Sequence, residues 1–438
     1  MENRNTAIFD ACQCPASSSD EARAVFVDHH QRVGGRLGIY TRTASTPVNT
    51  RVREGQESGS LGDTTVDLAA LRRAARAERW RLKWAADRLR DGRQRACHRV
   101  RQSKDKAVTV EVGTLPGDVK RAYYGGWVAC GSVWGCPLCA SKIANGRRVE
   151  VQAAMDAARR QGLRVLLLTL TVRHGLGDDV RDVLARMRAA WRRYTGDRQA
   201  KALRAAAGLV GTIRALEVTY GANGWHPHYH VLLFVRGNQT PEEMQRAWAS
   251  VWCRICVSCG LPEPVQSVAC TIQDGSHAAN YVSKWGLAEE LALSHLKHGK
   301  GGQTPWDLLR VYADRGEGAE QAGRLWREYA AAFKGQRQLY WSNGLRALLG
   351  VGAGQTDQEL VDVVDPGAEV LASLSDIERQ ALVSMHALCE ILEIAETDPD
   401  NVQLAIDSMV KLYLRNTGRD QRRAAAQRVM RGMAELAG

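Results

Sequence analysis

At 438 residues, 45% hydrophobic and 25% charged, the chain has the composition of a globular protein of two or three domains, and no apolar run reaches the roughly 18 residues that would cross a bilayer. The N-terminal Met1-Glu2-Asn3-Arg4-Asn5 carries no apolar signal core, so a cytoplasmic protein without a membrane partner is expected. The net charge of +12 is uneven: thirteen acidic side chains oppose one basic residue between Asp357 and Asp407, about +5 follows, and the residues before 357 carry about +19, a surplus that favours nucleic acid as partner.

Residues 1–62 are polar and aperiodic, and their composition predicts disorder; Cys12 and Cys14 fall there without a motif around them. Residues 63–145 divide into a basic amphipathic helix over 66–90, packing through Leu68, Leu71, Trp80 and Trp84, and a cysteine-bearing module over 97–139. From 146 to 350 the order is helix (140–161), buried strand (163–172), helix (178–207), two strands (210–220 and 225–235), helix (from Thr240), strand (265–272) and helix (276–293). The two central strands are joined by Gly221-Ala222-Asn223-Gly224, a tight hairpin signal. Thr240-Pro241-Glu242-Glu243 carries the proline and acidic residues of a helix start. This β-α-β-β-α-β-α order predicts an α+β domain with an antiparallel sheet and helices on one face, of the ferredoxin-like type. Residues 351–438 read as an acidic linker and a small helical region.

The most informative run is His226-Pro227-His228-Tyr229-His230, which leads into Val231-Leu232-Leu233-Phe234. In a strand, His228 and His230 project from one face, with His226 beyond them. Neutral imidazole is the commonest protein metal donor, so the pair predicts a divalent metal site. The hairpin brings Glu217 toward His228 or His230, and two imidazoles plus a carboxylate suit Mg2+ or Mn2+ acting on a phosphate. Further on, Tyr281 and Lys284 are three apart on a predicted helix and share a face. A tyrosine that attacks phosphorus needs a polarised phosphate, and an ammonium beside it steadies the developing charge.

Eleven cysteines are many for a cytoplasmic chain without metals, and a disulfide scaffold does not suit one. Cys130-x5-Cys136-x2-Cys139 has zinc-knuckle spacing, with Cys97 or its neighbour His98 completing a structural Zn2+ site. Cys253, Cys256 and Cys259, with Cys270 further on, form a possible second cluster, although three cysteines spaced along one helix cannot all face one metal.

From roughly Cys97 to Gly344 the chain resembles the HUH endonucleases, specifically the plasmid rolling-circle replication initiators of the Rep_1 type. The resemblance rests on Leu168-Thr169-Leu170-Thr171, on Gly224-Trp225-His226-Pro227-His228-Tyr229-His230 and on Tyr281-Val282-Ser283-Lys284. The segments Gly131–Cys139 and Gln338–Ser342 add to it. It implies that Tyr281 nicks one strand of single-stranded or hairpin-extruded origin DNA and keeps the 5′-phosphate as a phosphotyrosine. The freed 3′-OH then primes synthesis, with host helicase and polymerase as partners. It also implies a metal held by His228, His230 and Glu217, with His226 in support. Some members carry a glutamate one turn before the tyrosine; here that position is His277, and Asp274, Glu289 and Glu290 are the nearby carboxylates. A transposase or relaxase of the same chemistry, or a zinc-dependent DNA-binding regulator without catalysis, is the alternative.

Overall fold

The computed structural model describes residues 68–90, 92–115, 119–275, 302–363 and 367–435. Residues 1–72 with 364–366 make one unit, described only at residues 68–72, where the helix Leu68–Leu89 opens. The other unit holds residues 73–363 and 367–438. The expected disordered segment 1–62 and the whole of the expected helix 276–293 lie outside the described residues.

Eight strands are found among the described residues: β1 (Val108–Leu115), β2 (Val119–Gly125), β3 (Arg164–Thr171), β4 (Leu209–Gly221), β5 (Gly224–Val235), β6 (Cys270–Asp274), β7 (Leu339–Trp341) and β8 (Glu369–Leu374). They form two antiparallel sheets, ordered β6-β3-β5-β4-β7 and β2-β1-β8, so the fold is α+β.

The larger sheet is covered on both faces, not on the single face expected. Leu166, Leu168, Leu170, Val231 and Leu233 pack with Leu184 and Met187 of the helix Val180–Gly196 and Trp248 and Trp252 of the helix Pro241–Ser258. On the other face Leu167, Ile213, Leu232 and Phe234 meet Val151, Ala154 and Met155 of the helix Pro137–Arg160. The reason is in the strands themselves: Val-Leu-Leu-Leu in β3 and Val-Leu-Leu-Phe in β5 are apolar on both sides of the pleat, and each side must be buried.

Two expected elements are divided. The helix predicted over 178–207 breaks at Asp197, whose carboxylate accepts from the Ala200 N–H at 3.0 Å and caps a new helix, Arg198–Ala206. The strand predicted over 265–272 is a helical turn, Gln266–Ala269, followed by β6. The helix opened by Thr240 forms with a full capping box, in which Thr240 and Glu243 each bond the other's backbone N–H.

The smaller sheet corrects the reading of the C-terminal region. β8, in the stretch expected to be linker and helix, pairs with β1 and closes a core of Trp80, Trp84, Val110, Tyr124, Leu374, Leu388 and Ile391. The acidic segment is drawn in by charge as well. Glu396 holds Arg76 through two 2.5 Å bonds and accepts from the Ala122 N–H at 2.9 Å, and Asp357 holds Arg147 at 3.0 Å. Ile391 has no exposed surface, so Ile391→Ala is expected to cost about 2–5 kcal/mol. Urea denaturation measures this; a change within a few tenths would mean the C-terminal region is dispensable to the fold.

Candidate functional site

The hairpin register sets the site. Gly221 pairs with Gly224, Glu217 with His228 and Ala215 with His230. Gly224 takes φ +81, a conformation glycine adopts without strain and other residues resist. From the other side β3 places Thr169 opposite His230 and Thr171 opposite His228. Paired residues share a face, so Glu217, His228, His230 and Thr169 converge, and Ala215 leaves room between them.

Glu217 Oε2 lies 3.5 Å from His228 Nε2 and 3.4 Å from His230 Nε2. One donor atom from each of the three residues falls within 4.8 Å of the other two. The far nitrogens are anchored. His228 Nδ1 donates to the His226 carbonyl at 3.1 Å, which turns its Nε2 toward Glu217. His230 Nδ1 lies 2.9 Å from Thr169 Oγ1, the contact that orients its Nε2 toward Glu217. Burial alone would raise the Glu217 carboxyl, but His230 and His228 outweigh it and hold it well below the ordinary carboxylate range. Burial would lower His228, yet its bond to Glu217 leaves it raised. Two imidazole lone pairs and an ionised carboxylate aimed at one point fit a divalent cation.

His226 lies outside that group but stacks on His228 with 5.1 Å between ring centres. Its Nδ1 is 2.7 Å from Nε2 of His174, whose Nδ1 faces the Asn223 carbonyl at 2.8 Å. A carbonyl only accepts, so His174 carries its proton on Nδ1 and receives one from His226. Burial, then the neighbouring His228 and His174, bring His226 down to about 4. Sequence reasoning missed His174. The signal was its place three residues past Thr171, at the end of the strand that flanks the histidines.

Cys97, Cys130, Cys136 and Cys139 form the second group. Their sulfurs lie 3.7 Å (Cys97–Cys136), 3.6 Å (Cys97–Cys139) and 3.7 Å (Cys130–Cys139) apart. Zn–S bonds of about 2.3 Å at tetrahedral angles give an S–S edge of about 3.8 Å, so four thiolates in this arrangement fit Zn2+. Burial opposes charge on Cys136, but bonds from the other three thiols and the Arg90 guanidinium hold its thiol well below its ordinary range. Cys97, not His98, completes the group: His98 sits buried edge-on to Trp80, and burial keeps its imidazole neutral, down to about 3.

The remaining expected residues separate. Cys253, Cys256, Cys259 and Cys270 do not converge as a group of three among the described residues. Burial pushes the Cys270 thiol up to about 12 and Cys256 higher still, as expected of thiols in an apolar core. Asp274 pairs with Leu166, on the sheet face opposite Thr169 and the histidines. Tyr281, Lys284, His277, Glu289 and Glu290 lie outside the described residues.

A family model of replication proteins, Rep_1, matches residues 127–278, a span that starts just after β2, holds both metal-compatible groups except Cys97 and runs past β6. Protein rep of Streptomyces lividans is 31% identical over 307 residues, which span 55% of this chain and 67% of that protein. This chain belongs to the Rep_1 family of replication proteins. The replication protein also matches the neomycin resistance protein of Streptomyces cyanogenus (33% over 137 residues, 26% of this chain and 31% of that protein). Protein rep of a Bacillus species is 32% identical over 125 residues, 27% of this chain and 38% of that protein. No solved structure matches. Among the described residues no helix is long and apolar enough to cross a membrane.

Two outcomes are expected of the replication protein. Cys136→Ser should lower zinc retained after dialysis against a weak chelator well below the wild-type stoichiometry, read by elemental analysis; full retention would remove Cys136 from the site. Thr169→Val keeps the side-chain shape but loses the bond to His230, and should weaken Mn2+ binding about 10- to 100-fold in a spin-resonance titration.

Proposed function

We propose that this Rep_1 protein is a plasmid rolling-circle replication initiator that nicks and rejoins one strand of origin DNA through a covalent tyrosine. The five-stranded sheet is read as the HUH nuclease domain, over 146–350, behind the zinc module of 63–145. The observation that carries this reading is the convergence of Glu217, His228 and His230 on one sheet face. Membership of a replication protein family supports it over a transposase or relaxase.

A divalent cation such as Mg2+ or Mn2+ bound there supplies Lewis acidity toward a phosphodiester oxygen. Glu217, His228 and His230 would hold it, and Thr169 and the His226 carbonyl fix the two imidazoles. Tyr281 is the proposed nucleophile. Its oxygen forms a bond to phosphorus as the P–O3′ bond breaks; the electron pair leaves on O3′, which takes up a proton. The phenol's own proton passes to solvent, and His277, in the position where some members carry a glutamate, is proposed for the later step that activates water. Lys284 steadies the charge on phosphorus. The products are a 5′-phosphotyrosine and a 3′-OH from which host helicase and polymerase extend the strand.

Tyr281→Phe should abolish the covalent adduct seen by mass spectrometry after incubation with origin single strand and Mn2+, while binding of the strand stays within about threefold. An adduct on the Phe variant would remove Tyr281 as nucleophile. Adduct formation by wild type without any divalent cation would remove the metal role.

A further inference from the structure

The sheet face opposite the histidines carries a cationic cluster that forms no salt bridge among the described residues. Arg214 and Tyr229 point away from Glu217, His228 and His230 by the alternation of β4 and β5. The Arg214 guanidinium lies 4.5 Å from the ring centre of Tyr229, 4.9 Å from Trp191 and 5.5 Å from Tyr340, its partner on edge strand β7. Arg337 lies 5.8 Å from the same Tyr340 ring. Arg188 and Arg192, one turn apart on the helix Val180–Gly196, are near enough for their charges to act on Tyr229. Arg188 bonds only a neutral partner, Gln336 Oε1, at 2.9 Å.

Among the described residues none of these four guanidiniums forms a salt bridge, whereas Arg147, Arg254, Arg310 and Arg346 all hold carboxylates. Like charges one turn apart and around a shared ring repel, so the cluster disfavours the free protein unless an anion offsets it. A guanidinium stacked on aromatic rings keeps its N–H edge free for the two oxygens of a phosphate. Tyr229 is buried, and Arg214 lies over Tyr229 and Trp191, which limits the ring surface on which a base could stack. Four guanidiniums without carboxylate partners among the described residues suit a backbone of regularly spaced phosphates better than unstacked bases.

We propose that Arg188, Arg192, Arg214 and Arg337 form a duplex-DNA anchoring face, separate from the metal-compatible face and gripping the origin duplex while one strand occupies the other side of the sheet. This rests on the reading of the protein as an origin-binding initiator. Arg188, Arg192 and Arg337 are exposed, so their replacement leaves the core intact.

The test uses the full-length R188Q/R192Q/R337Q variant and fluorescence anisotropy at several salt concentrations, with an origin duplex and with an origin single strand. Three lost phosphate contacts should make the slope of log K against log salt for the duplex shallower by about 3 and weaken duplex binding at least about tenfold. Single-strand binding and Mn2+-dependent cleavage of a short single strand should stay within about twofold. Arg214→Lys, which keeps the charge but loses the planar fork, should also weaken the duplex complex. An unchanged duplex slope overturns the anchoring face, and an equal loss on single strand and duplex overturns its assignment to duplex. Failure of the wild type to bind origin DNA at all would instead overturn the proposed function.

Discussion

A carboxylate half-withdrawn from water between two imidazoles is the constraint around which the larger sheet is arranged. His228 and His230, within 3.5 Å of Glu217, hold its carboxyl well below the ordinary range against burial, and they stand there only in one register of the β4–β5 hairpin. A slip of one residue would turn Glu217 and both histidines to opposite faces. The register is held from both ends: by the Gly221–Gly224 turn above, and below by Val231–Phe234, whose side chains lock between helices on the two faces. The site is the polar end of a strand whose apolar end is a core.

The cysteine group plays a similar part in a segment with little core of its own. Cys97 and Cys130 lie in irregular chain, while Cys136 and Cys139 open the helix Pro137–Arg160 that covers the histidine-bearing face. Arg90 donates to the Gly135 carbonyl, Trp134 Nε1 donates to the Gln336 carbonyl at 2.7 Å, and the Tyr329 hydroxyl donates to the Trp134 carbonyl at 2.9 Å. Four thiols thus fix the start of a helix whose later turns support the sheet, and the same loop is bonded to the chain just before β7. A bound zinc would stabilise that junction as well as the loop.

Much of the site was legible because its signals are local. Alternating histidines, a two-residue turn between glycines and a C-x5-C-x2-C spacing each depend on a few neighbouring residues, and periods of two and four residues translate directly into shared faces. What was misread depends on distant partners. The segment 265–272 looked like one strand because Val265, Val268 and Ile272 are apolar, yet Val265 and Val268 are exposed and only Ile272 is covered. β8 was hidden in an acidic stretch because its place is decided by the free edge of β1, some 260 residues earlier. His174 and the Arg214 cluster escaped notice for the same reason, since neither belongs to a motif of its own.

The sequence alone determined the donor types, the strand that carries the histidines and the family to which the chain belongs. These follow from residue chemistry and short-range periodicity, which no partner can change. Only the tertiary structure decided that helices cover both sheet faces, that Cys97 and not His98 joins the other thiols, and that the acidic C-terminal region supplies a strand and charge partners to the N-terminal helix. Each of those outcomes is a competition for burial or for a counter-charge between segments far apart in the chain, and such competitions are settled only when the segments meet.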